Sequence, residues 1–313
     1  MNRKILFLLG ISLLLFQKYI LPIPTSLQFI IFLLGIIILG IPHGAADLLV
    51  ATKNENRVSF SKIRFLINYL TRLILFGATL YFFPVIGNII FIIFAAYHFG
   101  ETDLNQFKTD KIIGKIFVTS YGLVILSIIL LNHFEEVIPI FLYFKAGIDN
   151  ISLINWIDTH RALLMSISGI LFFTSTFVYF LQHNNLEEKN KEQFLTRFAL
   201  LCCILFFMPM LLGFTFYFVV WHSVISLNNI VTYLKADVGN NSNKIIKDIL
   251  LYSALALLGI GFFGFSAFFY TNTSAMSGYI FLGLAVLTAP HMGIMHSMYK
   301  SIRQTRVPQV NLE

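Results

Sequence analysis

The chain has 313 residues, of which 57% are apolar and only 12% charged, and it carries a formal net charge of +7. That balance excludes a soluble globular domain and points to a protein whose solvent is a bilayer. Only two cysteines are present, the neighbours Cys202 and Cys203, which excludes a disulfide framework or a zinc ribbon. The basic residues are dispersed among short segments, which argues against nucleic-acid binding.

Ten apolar runs of spanning length are predicted, at residues 4–20, 28–48, 65–84, 86–102, 113–131, 161–182, 195–213, 214–234, 247–270 and 277–299. The first is short enough to resemble a secretory signal. No small-residue cleavage site follows it, so it is kept as a helix. With both termini cytoplasmic, 18 of the 22 Lys and Arg fall on the inner side, as the positive-inside rule requires. The outer turns FFPVIGN, PMLLGF and TNTSAMSG contain neither Lys nor Arg. Residues 132–160 form a longer outer segment, read as an interfacial helix or a packed loop, and 183–194 as a solvated inner connector. The expected architecture is all-α: a polytopic integral membrane helical bundle of about ten transmembrane helices, in one domain over residues 1–313, in the inner (cytoplasmic) membrane.

Four histidines break the apolar pattern at nearly one depth. His43, His98, His222 and His291 lie 10, 10, 13 and 9 residues before Lys53, Lys108, Lys235 and Lys300, each of which closes an apolar run. At about 1.5 Å per residue each imidazole sits roughly 15 Å below the same membrane face. Ionisable groups at that depth are costly and usually functional. Three of the four stand beside Pro or Gly (Pro42-His43-Gly44, His98-Phe99-Gly100, Pro290-His291-Met292-Gly293), where a helix can open a pocket. Single histidines often only bridge helices by a hydrogen bond, but four at one level point to a metal. Imidazole suits iron, zinc and copper alike.

Asp47 and Glu101 follow His43 and His98 by four and three residues, so both share a helix face with the neighbouring imidazole and are candidates to support it. Asp103 would need a helix break at Gly100 to do the same. His296 is five residues from His291, about 140° round a helix, and is a reserve metal candidate. Arg72, inside the third span, is a possible partner for one of the acids. No HExxH, HxxHH, Walker loop or GxGxxG is present. A haem held by two histidines would leave two unexplained.

The motifs PHGAAD at 42–47, YHFGETD at 97–103, WHS at 221–223 and PHMG at 290–293 together resemble the bacteriorhodopsin-related (Brp/Blh-type) β-carotene 15,15′-dioxygenase family, from the second span to the tenth. The resemblance implies an Fe(2+) held by histidines, here His43, His98 and His222, that cleaves β-carotene with O2 into two retinal molecules. A retinal-binding rhodopsin would use the product. It also implies Asp47 and Asp103, rather than Glu101, as the acidic partners. The chain departs at Ser226, where members often carry a further histidine. Either His291 completes the set or the site is altered. Two rival functions remain at this point: a metal-ion or proton-coupled transporter, and a catalytically degenerate membrane partner of a retinal protein.

Overall fold

A backbone that crosses a bilayer must close its own hydrogen bonds, and the described residues of this chain do so with helices. The computed structural model describes residues 3–54, 60–143, 148–183, 188–236, 241–268 and 276–306, and no strand occurs among them. Among the described residues eleven helical rods follow one another. They are α1 (Arg3–Leu15, continued by a π turn Phe16–Ile20), α2 (Thr25–Asn54), α3 (Lys62–Phe82), α4 (Pro84–Asp103) and α5 (Ile112–Leu131). After these come α6 (Phe134–Tyr143), α7 (Ile148–Gln182), α8 (Glu188–Phe207), α9 (Met210–Lys235), α10 (Ser242–Phe268) and α11 (Met276–Arg306). Each of the ten apolar runs falls on its own rod. Among the described residues six rods, α2, α3, α4, α5, α7 and α9, are long and apolar enough to cross a membrane by length and composition.

Some boundaries differ from the sequence expectation. The turn expected over PMLLGF, residues 209–214, is confined to Met208–Pro209, because Pro209 takes an extended conformation (φ −52°, ψ 150°) and caps the start of α9, whose first turn is Met210–Phe214. The outer segment 132–160 is helical on both sides of residues 144–147, as α6 and the first turns of α7. At about 1.5 Å per residue the 35-residue α7 is roughly 50 Å long and overshoots a 30 Å hydrocarbon core. Residues Arg57 and Lys145, part of the charge asymmetry, and most of the turn TNTSAMSG lie outside the described residues.

The outward surface is apolar. On α3, Ile63, Leu66, Ile67, Leu70 and Ile74 are exposed while only Phe76 and Leu80 are buried. Such a face is untenable in water and ordinary in lipid. Inside, α4, α5, α7, α8 and α9 pack one large aromatic-rich core, and α2, α9, α10 and α11 a second. Two hydroxyl pairs one heptad apart, Ser120–Ser175 at 2.7 Å and Ser127–Ser168 at 2.9 Å, join α5 to α7.

Helices α4 and α5 touch backbone to backbone. A Cβ on Gly100 would stand 2.0 Å from the Val118 carbonyl oxygen, and one on Gly122 would stand 1.9 Å from that of Ala96. Only glycine permits this approach, and it fixes the depth of α4 two residues from His98. A methyl has no flexible side chain to push aside there. Gly122→Ala is therefore expected to destabilise the protein by about 1–3 kcal/mol through overpacking, read as a lowered thermal unfolding midpoint in detergent micelles. An unchanged midpoint would contradict the close contact.

Candidate metal centre

Two of the rods that carry the histidines are wound differently just where the histidines stand. In α2 a π-helical stretch, Ile36–Gly40, immediately precedes Pro42 and His43. Pro42 offers no N–H and its ring would crowd the carbonyl of Ile38 in a regular helix. The wider π turn removes that conflict and rotates the residues beyond it. In α9 the π stretch Thr215–His222 ends on the histidine itself. Such insertions turn the downstream face by about 100° and are frequent at functional sites. Within α11, Pro290 loosens the ladder one residue before His291.

The result is a knot of four imidazoles from α2, α4, α9 and α11. His43, His98, His222 and His291 are 4%, 3%, 0% and 6% exposed. The Nε2 atoms of His43 and His291 lie 2.8 Å apart, and those of His98 and His222 lie 3.1 Å apart. Ring centroids of His43 stand 4.4 Å from His291, 5.2 Å from His222 and 6.0 Å from His98. One ligand atom from each of His43, His98 and His222 falls within a 4.8 Å group.

Structural histidines would look different, with ring N–H groups bonded to carbonyls or hydroxyls across the helices. Here the Nδ1 atoms of His43, His98 and His222 are buried with no hydrogen-bond partner among the described residues, while each Nε2 faces another imidazole. A single Nε2–H···Nε2 bond can join two neutral rings but cannot gather more than two, and unpartnered buried polar atoms are costly. A shared cation resolves the Nε2 side of that problem. The donor set therefore fits a nitrogen-loving divalent metal.

The acids divide. Asp47 reaches the knot: its Oδ1 accepts from His291 Nδ1 at 2.7 Å, and its Oδ2 accepts from Tyr69 at 3.2 Å. Asp47 thus supports His291 from α11, although it shares a helix with His43. Asp103 bonds no imidazole. Helix α4 runs unbroken through Gly100, so Asp103 is turned away, and its carboxylate accepts from Tyr121 at 2.9 Å, Tyr217 at 3.1 Å and Trp221 Nε1 at 3.0 Å. It thereby grips the π stretch that delivers His222.

Glu101 lies further out, accepting from Arg303 at 3.1 Å and standing 2.9 Å from His296 Nδ1. His296, with a side chain 39% exposed, belongs to that outer group and not to the knot. Arg72 is exposed, pairs with no acid among the described residues, and lies over Gly293 on α11. Ser226 is fully buried one turn beyond His222, with its hydroxyl 3.4 Å from that of Tyr299, which in turn donates to Thr102 at 3.2 Å. Sequence reading missed Tyr69 and Tyr299. Neither lies in a motif, and their partners are 22 and 197 residues away.

A polytopic α-helical membrane protein with a buried polyhistidine centre is thus defined. Its comparison with known families makes the class specific: the chain belongs to the family described as beta-carotene 15,15'-dioxygenase, whose model matches residues 34–299. That stretch contains all four histidines, Asp47, Asp103 and Ser226. No curated protein and no solved structure matches the chain.

Proposed function

We propose that this protein is a membrane-embedded, non-haem Fe(II) dioxygenase that splits the central 15,15′ double bond of β-carotene with O2 into two molecules of retinal. The observation that carries the reading is the buried group of His43, His98 and His222, with His291 Nε2 2.8 Å from that of His43, inside a bundle whose family is named for that reaction. His43, His98, His222 and His291 would hold the iron. When bound, Fe(II) supplies coordination positions for O2 and the electrons that activate it. Both oxygen atoms enter the two aldehydes, so no external reductant is needed, and the chain carries no nucleotide motif.

The protein's own groups keep the centre dry and oriented. Asp47 holds His291 with its proton on Nδ1, which leaves Nε2 free to bind metal. The Phe99 ring, 4.8 Å from that of His222, and the Phe218 ring, stacked at 6.1 Å and 10°, exclude water from one side of the centre. A hydrocarbon substrate dissolves in the lipid that bathes the apolar outer face, and reaches a buried site from there. His291 takes the place left open at Ser226 as fourth imidazole. By the positive-inside asymmetry the protein lies in the cytoplasmic membrane with both termini inside, and its product would serve a retinal-binding rhodopsin.

The test is pigment analysis of bacteria that accumulate β-carotene, with and without this chain. Expected is loss of orange colour with close to two retinals formed per carotene consumed, each labelled when isotopic O2 is supplied. Intact carotene beside well-expressed protein, with no apocarotenoid of any length, would overturn the assignment.

A further inference from the structure

Of the four imidazoles only His291 has its second ring nitrogen held by another of the described residues, and the holding group is itself held. Asp47 divides its carboxylate, Oδ1 to His291 Nδ1 at 2.7 Å and Oδ2 to the Tyr69 hydroxyl at 3.2 Å. Tyr69 stands on α3, a helix that otherwise turns mostly to lipid, and its hydroxyl points inward against that trend. The same helix also touches α11 next to the centre, where Arg72 Nη1 would stand 3.0 Å from a Cβ on Gly293.

We propose that Tyr69 is a positioning residue that, through Asp47, fixes the ring plane and tautomer of His291 and so makes it a metal ligand. The inference rests on the metal-centre reading and extends it to a third helix. A carboxylate engaged at one oxygen can rotate about its own axis and carry the imidazole with it; one engaged at both oxygens cannot. Pro290 makes this restraint matter, because the helix that presents His291 is loosened beside it. Among the described residues the other three rings have no such support, so the fourth is the one whose contribution these hydrogen bonds can tune.

The experiment uses the purified full chain in lipid nanodiscs, with Co(II) alone as probe, under anaerobic conditions. Affinity and the visible absorption band are measured for the wild type, Tyr69→Phe, Asp47→Asn and the double variant. Tyr233→Phe serves as a control, since it removes a hydroxyl that donates to Asn54 at 2.6 Å, away from the imidazoles. Direct supporting partners of ligands are worth about 10–100-fold in metal affinity. Asp47→Asn is expected in that range, and Tyr69→Phe about 3–10-fold weaker than wild type with a shifted band. The double variant should bind no worse than Asp47→Asn, because the tyrosine acts only through the aspartate. The Tyr233→Phe band should be that of the wild type.

Wild-type affinity and band in Tyr69→Phe, or additive losses in the double variant, would overturn the role of Tyr69 while leaving the metal centre standing. A wild type that binds no Co(II) would overturn the metal-centre reading and this one with it.

Discussion

Replacing His98 by alanine is expected to strip the metal from the protein and to lower retinal formation by more than about 100-fold, the upper end of what losing a mere supporting contact costs. His98 is buried, and its Nε2 faces that of His222 at 3.1 Å. Two of the contacts that define the knot, to His222 and to His291 at a centroid distance of 5.0 Å, go with it. His296→Ala is the informative companion. That histidine is partly exposed and bonded to Glu101 and Tyr97, so its loss should leave bound iron close to the wild-type stoichiometry. Iron content of the purified proteins and retinal yield in carotene-accumulating cells together check the pair. Full iron in the His98→Ala protein, or an iron-free His296→Ala protein, would mean that the ion sits elsewhere.

That the four histidines could meet was legible because helix rise and the closing lysines put them at one level along their helices. Each of the four was then found on a rod that the apolar runs had marked. What distance along the chain could not carry was azimuth. Asp47 shares a helix with His43 yet bonds His291, because the π turn before Pro42 and the crossing of α11 decide which ring faces it. Asp103 could have joined the knot only if α4 had broken at Gly100. Instead that glycine is spent on a backbone contact with Val118, and the helix continues. The partner of Glu101 lies 202 residues away, and the partner expected for Arg72 is not there at all among the described residues. The turn PMLLGF begins at the right proline, but the apolar run passes straight through it and hides that Met210–Phe214 already belong to the next helix.

Arg303→Ala is expected to destabilise the protein by about 3–5 kcal/mol, because it leaves a buried carboxylate without its cation. Glu101 and Arg303 have side chains 1% and 5% exposed, and both guanidinium nitrogens Nη1 and Nη2 donate to Glu101 Oε1, at 3.1 and 3.2 Å. The outer bond of Arg303, from Nε to Asp110 at 3.2 Å, ends on a carboxylate that is 55% exposed, and Asp110→Asn should cost less than about 1 kcal/mol. What is lost with the cation is mostly a solvation debt, so removing both charges should cost less than removing one. The double variant Glu101→Leu/Arg303→Leu should recover much of the stability lost in Arg303→Ala. Unfolding in detergent, followed by loss of helical circular dichroism, measures all three. A double variant no more stable than the single one would show that the pair holds the fold by specific geometry and not by charge balance. The pair also bears on the centre: Glu101 is three residues from His98 and Arg303 is twelve from His291, so it ties α4 to α11 on the two rods that present these rings. If that tie sets the spacing of the two rings, Arg303→Ala loses iron before it unfolds, and the double variant keeps its fold while binding iron more weakly than the wild type.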